Sequence, residues 1–171
     1  IKVEGSEGNP GEGNIVISGG TIDVTSVDKG ICATWKAADD ATTASTADDP
    51  SPTVAISGGT VTVTTTGTPN TTCSPEGIES KTALAVSGGT VTVSAADDCF
   101  NAGSSIAISG GYIRAASSSN DAIDSNGTMT ISGGVIVASG AAAPEEAFDC
   151  DSNTFTVTGG TFVGVAGATS T

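Results

Sequence analysis

Residues 54–63 read Val54-Ala55-Ile56-Ser57-Gly58-Gly59-Thr60-Val61-Thr62-Val63: two short stretches in which apolar and small or polar side chains alternate, joined by a glycine pair. Alternation with period two describes a strand with one face buried. The glycine pair lets the chain bend through positive φ without a Cβ clash. The figure then returns. Ser-Gly-Gly stands at Ser18, Ser57, Ser87, Ser109 and Ser132, and Thr158-Gly159-Gly160 is a sixth copy. Before each pair come Ile15/Ile17, Leu84/Val86, Ile106/Ile108, Met129/Ile131 and Phe155/Val157; after it come Ile22/Val24, Val91/Val93, Ile113/Ala115, Ile136/Ala138 and Phe162. Two successive intervals are 22 and 23 residues, and the longer ones read as the same unit with inserted loops.

Each unit also has a third apolar position, at Ile31, Ile78, Phe100, Ile123 and Phe148. Three short strands in so small a unit cannot bury their faces alone. Stacked as a parallel β-helix (a solenoid) of about six coils, they pair with the next coil at about 4.8 Å, and their inward residues form continuous ladders. A β-sandwich is the rival all-β arrangement, but its hairpin turns carry no register this strict. Residues 1–171 are read as one domain with loop insertions at 33–53 and 64–75, both rich in Pro, Thr, Ser and Asp. Trp35 sits in the first insertion, either as a lid over a coil or as a platform on which a sugar ring stacks.

Nineteen acidic residues against five basic ones give a net charge of −14, and there is no His. Five scattered cations cannot build the phosphate-neutralising patch of a nucleic-acid binder. Without His there is no Ser–His or Cys–His dyad and no His-ligated zinc. No apolar run approaches the roughly 20 residues of a membrane span. Abundant Ser, Thr and Gly, few Lys and a start at Ile1 without Met suggest a secreted chain, found outside the cell or on its surface. Cys32, Cys73, Cys99 and Cys150 stand apart, with no pair spaced for zinc. Coil adjacency leaves three readings open: a Cys32–Cys73 bridge, a Cys73–Cys99 bridge, or four free thiols.

Aligning the units on the third apolar position brings the acids into columns. Two residues before it stand Lys29, Glu76, Asp98, Asp121 and Glu146; one after it come Cys32, Glu79, Asn101, Asp124 and Asp149, with Asp151 beyond. Three before it, Asp97 adds another carboxylate. Stacked carboxylates repel, and five cations cannot neutralise the columns. Hard divalent cations with oxygen ligands, Ca²⁺ above all, suit such a set. Asp97, Asp98, Asn101, Asp121 and Asp124 offer one group, and Asp121, Asp124, Asp149 and Asp151, with Glu145 or Glu146, a second. Glu76 and Glu79, with Lys81 and Trp35, are the residues expected to meet a ligand directly. A solvated acidic face is the alternative, and recurrence at one coil position beside small residues argues against it.

Repeats of this kind, Ile56 to Val63, Val86 to Val93 and Ile108 to Gly111, followed by Asp97 to Ala102, Asp121 to Gly134 and Glu146 to Asp149, resemble the bacterial β-helical carbohydrate-binding domain family, similar in shape to calcium-dependent pectate lyases. The resemblance implies a right-handed parallel β-helix, bound Ca²⁺, an extracellular location, and affinity for acidic, uronate-rich polysaccharide or cellulose. The chain departs from the pattern at Lys29 and Cys32, where acids are expected. The leading expectation is a non-catalytic, calcium-assisted carbohydrate-binding module, with the ion bridging protein and uronate carboxylates. A calcium-dependent lyase would need a base such as Lys81 with a lowered pKa, whereas neighbouring acids raise it. A structural rod that stacks end to end into filaments is a third reading, since solenoid ends expose strand edges. The Thr rows Thr60/Thr62/Thr64 and Thr90/Thr92/Ser94 suggest an ice-binding face, but Asp23, Tyr112, Arg114 and Val135 interrupt it.

Overall fold

Ladders of identical positions hold the chain together. The structure, a computed structural model, describes residues 1–36 and 49–170. Thirteen strands form two parallel sheets, and no residue among those described is helical. The long strands are β2 (Ile15–Ser26), β4 (Thr53–Thr65), β9 (Ser105–Ser117), β11 (Thr128–Ser139) and β13 (Phe155–Val165), with the third coil divided into β6 (Ala83–Val86) and β7 (Thr90–Ala95). They make one sheet in the order β13-β11-β9-β6-β4-β2, β7 lying between β4 and β9. The short strands β1 (Lys2–Ser6), β3 (Ile31–Lys36), β5 (Ile78–Ser80), β8 (Phe100–Ala102), β10 (Ile123–Ser125) and β12 (Phe148–Asp149) form the other, in the order β1-β3-β5-β8-β10-β12. Every ladder between named strands is parallel, so the fold is a β-solenoid and the sandwich is excluded.

The glycine pairs are bends within a strand more than breaks between strands. In five coils pairing continues through the pair with a register shift, and Gly20, Gly59, Gly89, Gly111, Gly134 and Gly160 take φ between 84 and 92°. The first glycine serves close approach instead: a Cβ on Gly58 would lie 2.6 Å from the Ser18 carbonyl oxygen of the coil beside it. Both needs select glycine, one for its φ and one for its missing side chain.

The core is the set of inward ladders. Val54, Leu84, Ile106 and Met129 stack in register, as do Val61, Val91, Ile113 and Ile136, and Ile31, Ile78, Phe100, Ile123 and Phe148. All are at most 2% exposed. Burying each such side chain is worth roughly 1.5–3 kcal/mol, so the inner coils are stabilised one on the next, whereas the last long strand, β13, is mostly exposed. The last coil ends in aromatic contact, with Phe148 5.6 Å from Phe162 edge to face and 6.0 Å from Phe155.

Two sequence expectations need correction. The first insertion does not begin at residue 33: β3 runs on to Lys36, because β1 supplies a pairing partner for each residue from Cys32 to Lys36. Trp35 is therefore a half-buried strand residue opposite Gly5, not a loop residue. The remainder of the insertion, apart from residues 49–53, lies outside the described residues. The second insertion does not begin at residue 64 either: β4 runs on to Thr65, with Thr64 and Thr65 paired to Thr25 and Ser26, and the loop that follows closes on an antiparallel bridge between Asn70 and Cys73. Of the three cysteine readings the structure supports the last: none of Cys32, Cys73, Cys99 and Cys150 is in a disulfide. Cys32 donates to Glu79 Oε2 at 2.9 Å, while Cys73 lies against the Val27 carbonyl oxygen. Among the described residues no helix is long and apolar enough to cross a membrane.

Candidate metal centre and acidic column

The short sheet carries the chemistry on its outer side. Its pairing superposes Lys2, Cys32, Glu79, Asn101, Asp124 and Asp149 in one column, as the alignment on the third apolar position requires. A second column, at the turn into each short strand, holds Lys29, Glu76, Asp98, Asp121 and Glu146. Gly30, Gly77, Cys99, Ala122 and Ala147 lie between the columns and are small because they point into the rod. A Cβ on Gly77 would meet Val93 Cγ1 at 2.2 Å.

Charge is not spread evenly along these columns. At the first two coils every acid has a cation. Lys29 Nζ pairs with Glu76 and stands 3.1 Å from Glu79 Oε2, and Lys81 pairs with Glu79 Oε1. Burial pulls the Lys29 ammonium down, but Glu76 and Glu79 outweigh it and hold its pKa above the ordinary lysine value. Burial pushes Glu79 up, and its bonds to Cys32 and Lys81, with the Lys29 charge, bring it below the usual carboxylate range. Lys2, Lys29 and Lys81 together line a cleft of about 250 Å³ with Asp28, Cys32 and Glu79. This end of the column is neutralised internally.

At the next three coils no cation is present among the described partners. Asn101 Nδ2 donates to Asp98 Oδ2 at 3.1 Å and to Asp124 Oδ2 at 2.9 Å, joining two coils. Asp98 Oδ1 accepts the Asp121 backbone N–H at 3.0 Å, and Asp121 Oδ1 accepts that of Glu146. One carboxylate oxygen from each of Asp121, Asp124 and Asp149 falls in a group no wider than 4.8 Å. Burial, and then the Asp124 charge, push Asp98 up to about 8. Burial followed by Asp149 and Asp121 pushes Asp124 to about 7, and burial with Asp149 and Glu145 brings Asp121 to about 6. Burial and the neighbouring carboxylates raise all three above the usual carboxylate range, and none of the described residues beside them supplies a positive charge to bring them down.

Not every expected ligand joins this group. Asp97 is turned to the corner, where it accepts from Asn120 Nδ2 at 2.8 Å and Ser74 Oγ at 3.2 Å. Asp151 is exposed at φ 53°, and its backbone N–H donates to Asp149 Oδ1 at 2.7 Å. Glu146 is half-buried and enters through its backbone N–H. Asp98 and Asn101 lie one coil before the cluster and are tied to it by hydrogen bonds. Trp35 and the ion-paired Glu76, Glu79 and Lys81 belong to the neutralised end. Lys2 was missed as a column member, although the alternation Ile1-Lys2-Val3-Glu4 was there to mark a strand.

The donor set suits a hard cation. Asp121, Asp124 and Asp149 offer only oxygens, are close enough to converge on one ion, and have no ion-pair partner among the described residues. A family model described as carbohydrate-binding domain-containing protein matches residues 1–122. No curated protein and no solved structure matches the chain, pectate lyases included. The match covers the first coils through Asp121, and residues 123–165 continue the same ladders. On that match and that fold, the chain belongs to the carbohydrate-binding domain-containing protein family.

Proposed function

We propose that the chain is a non-catalytic, secreted carbohydrate-binding module whose acidic column holds Ca²⁺ and, through it, the carboxylates of a uronate-rich polysaccharide. The observation that carries this reading is the convergence of Asp121, Asp124 and Asp149, with no cation paired to them among the described residues. Bound there, the ion supplies positive charge between two polyanions that otherwise repel. Asp121, Asp124 and Asp149 hold it. Asp98 and Asn101 fix the Asp124 carboxylate from the preceding coil, and the Glu146 backbone N–H orients Asp121. Side chains on rigid, laterally paired strands are set before a ligand arrives, which lowers the ordering cost of binding.

The lyase reading needs a neutral lysine beside the acids. Lys29 and Lys81 instead lie in ion pairs with Glu76 and Glu79, and Arg114 is on the other sheet. Affinity electrophoresis in gels containing polygalacturonate tests the proposal. The protein should be retarded with calcium and run freely with chelator, and Asp124→Asn should abolish the retardation. Equal mobility in both gels would refute it.

A further inference from the structure

Two carboxyl groups meet one lysine where the first coils stack. Lys29, at the turn into β3, donates from Nζ to Glu76 Oε2 on the following coil and stands 3.1 Å from Glu79 Oε2. Glu76 is 8% exposed and Glu79 1%. The two acids are held differently. Against its burial, Glu79 accepts from Cys32 Sγ at Oε2, 2.9 Å away, and pairs with Lys81 through Oε1, which keeps it below the usual carboxylate range. Burial, and then the Glu79 charge, push the Glu76 carboxyl above that range. Acids driven apart in this way are set for opposite roles, one as a proton acceptor and the other as a neutral carboxylic acid. The other lysine pairs are more open: the side chains of Lys2 and Lys81 are 61% and 48% exposed, so water solvates their ammonium groups.

We propose that Lys29 and Glu76 condense into an amide between Nζ and Cδ, a covalent rung joining two neighbouring coils, with Glu79 moving the proton. The step consumes no other reactant. Transfer of one proton along the Lys29–Glu76 hydrogen bond gives a neutral amine and a carboxylic acid, which lose less solvation on burial than two ions do. The nitrogen lone pair attacks Glu76 Cδ, and Glu79 takes a second proton from the nitrogen as the C–N bond forms. Glu79 hands that proton to the leaving hydroxyl, the C–O bond breaks, and water departs into the cleft that Lys29 and Glu79 line. Glu79 ends as it began. One positive and one negative charge disappear together, so this end of the column stays neutral. The rung ties residues 47 apart in sequence, across the first insertion. It restricts the unfolded chain as a disulfide would, in a chain with none of its four cysteines in a disulfide.

The intact mass of the denatured protein tests the proposal. Wild type should be lighter than its sequence mass by one water. Its tryptic digest should contain a branched peptide joining Lys29 to Glu76, uncut after Lys29. Lys29→Arg, which keeps the charge without the primary amine, should have the full sequence mass. Glu79→Gln, which cannot take the proton, should have it too. Wild type at full mass with linear peptides only would overturn the proposal, and this result decides whether or not a variant folds. A water deficit that maps elsewhere, or that persists in Lys29→Arg, would overturn it as well. A Lys29–Glu76 peptide that forms as fully in Glu79→Gln would overturn the role given to Glu79. Neither metal nor carbohydrate enters the measurement, so its outcome is independent of the binding reading.

Discussion

Stripped of divalent cations, the protein should lose stability as the pH rises from about 5 to about 8, the reverse of an ordinary salt-bridged protein. Asp98 carries the argument. It is 3% exposed, and its native pKa is pushed up to about 8 by burial and by Asp124. In the unfolded chain it ionises near 4. Between those values the native state binds more protons than the unfolded one, so stability falls with rising pH. A shift of about four units corresponds to about 5 kcal/mol. Asp124 at about 7 and Asp121 at about 6 push the same way. They share one field with Asp98, so the three losses do not add. Calcium reverses the sign: a held ion favours the ionised form, and at a hundred times its Kd it stabilises by about 2.7 kcal/mol. Urea denaturation with chelator and with calcium, at about pH 5 and about pH 8, measures both effects. Stability in chelator should drop by several kcal/mol across that range, and the calcium increment should be larger at the higher pH. A chelated protein equally stable or more stable at pH 8 would refute the reasoning.

Other perturbations test other links. Gly77→Ala drives a Cβ into Val93 and the Cys99 carbonyl oxygen, at 2.2 and 2.6 Å, and should cost about 1–3 kcal/mol by thermal melting. Ile123→Ala, at the centre of a fully buried ladder, should cost about 2–5 kcal/mol in the same assay. Lys29→Met leaves Glu76 without its ion-pair partner and Glu79 with one fewer, and should cost about 2 kcal/mol; adding Glu76→Gln should recover part of that, measured as a double-mutant cycle. Burial pushes the Cys32 and Cys99 thiols up to about 12, so a thiol reagent at neutral pH should label neither in the native state and both in urea.

The coil register was legible because each inward position repeats its residue class. Ile31, Ile78, Phe100, Ile123 and Phe148 fix where one coil lies on the next, and the acids two before and one after follow from that. What could not be read was direction off the column. Asp97 and Asp98 are neighbours in sequence, yet one turns to a corner amide and the other into the site. The choice depends on Asn120, one coil on, for Asp97, and on Asn101, three residues further along the same coil, for Asp98. The extension of β3 was hidden for a similar reason. Ala33-Thr34-Trp35-Lys36 has no strong pattern of its own, and β1, far earlier in sequence, makes it a strand. Lys29 and Lys81 show that column position alone does not mark a metal site, since the same positions at the first coils are filled by ion pairs.

The most direct test of the acidic column is a crystal soaked in a lanthanide that substitutes for calcium, with an anomalous difference map computed without any ion. The account predicts a strong peak bounded by the carboxylates of Asp121, Asp124 and Asp149, and none beside Glu76 and Glu79, where Lys29 and Lys81 already supply the charge. A map featureless at the three aspartates, or a peak only at the lysine-bearing end, would contradict it.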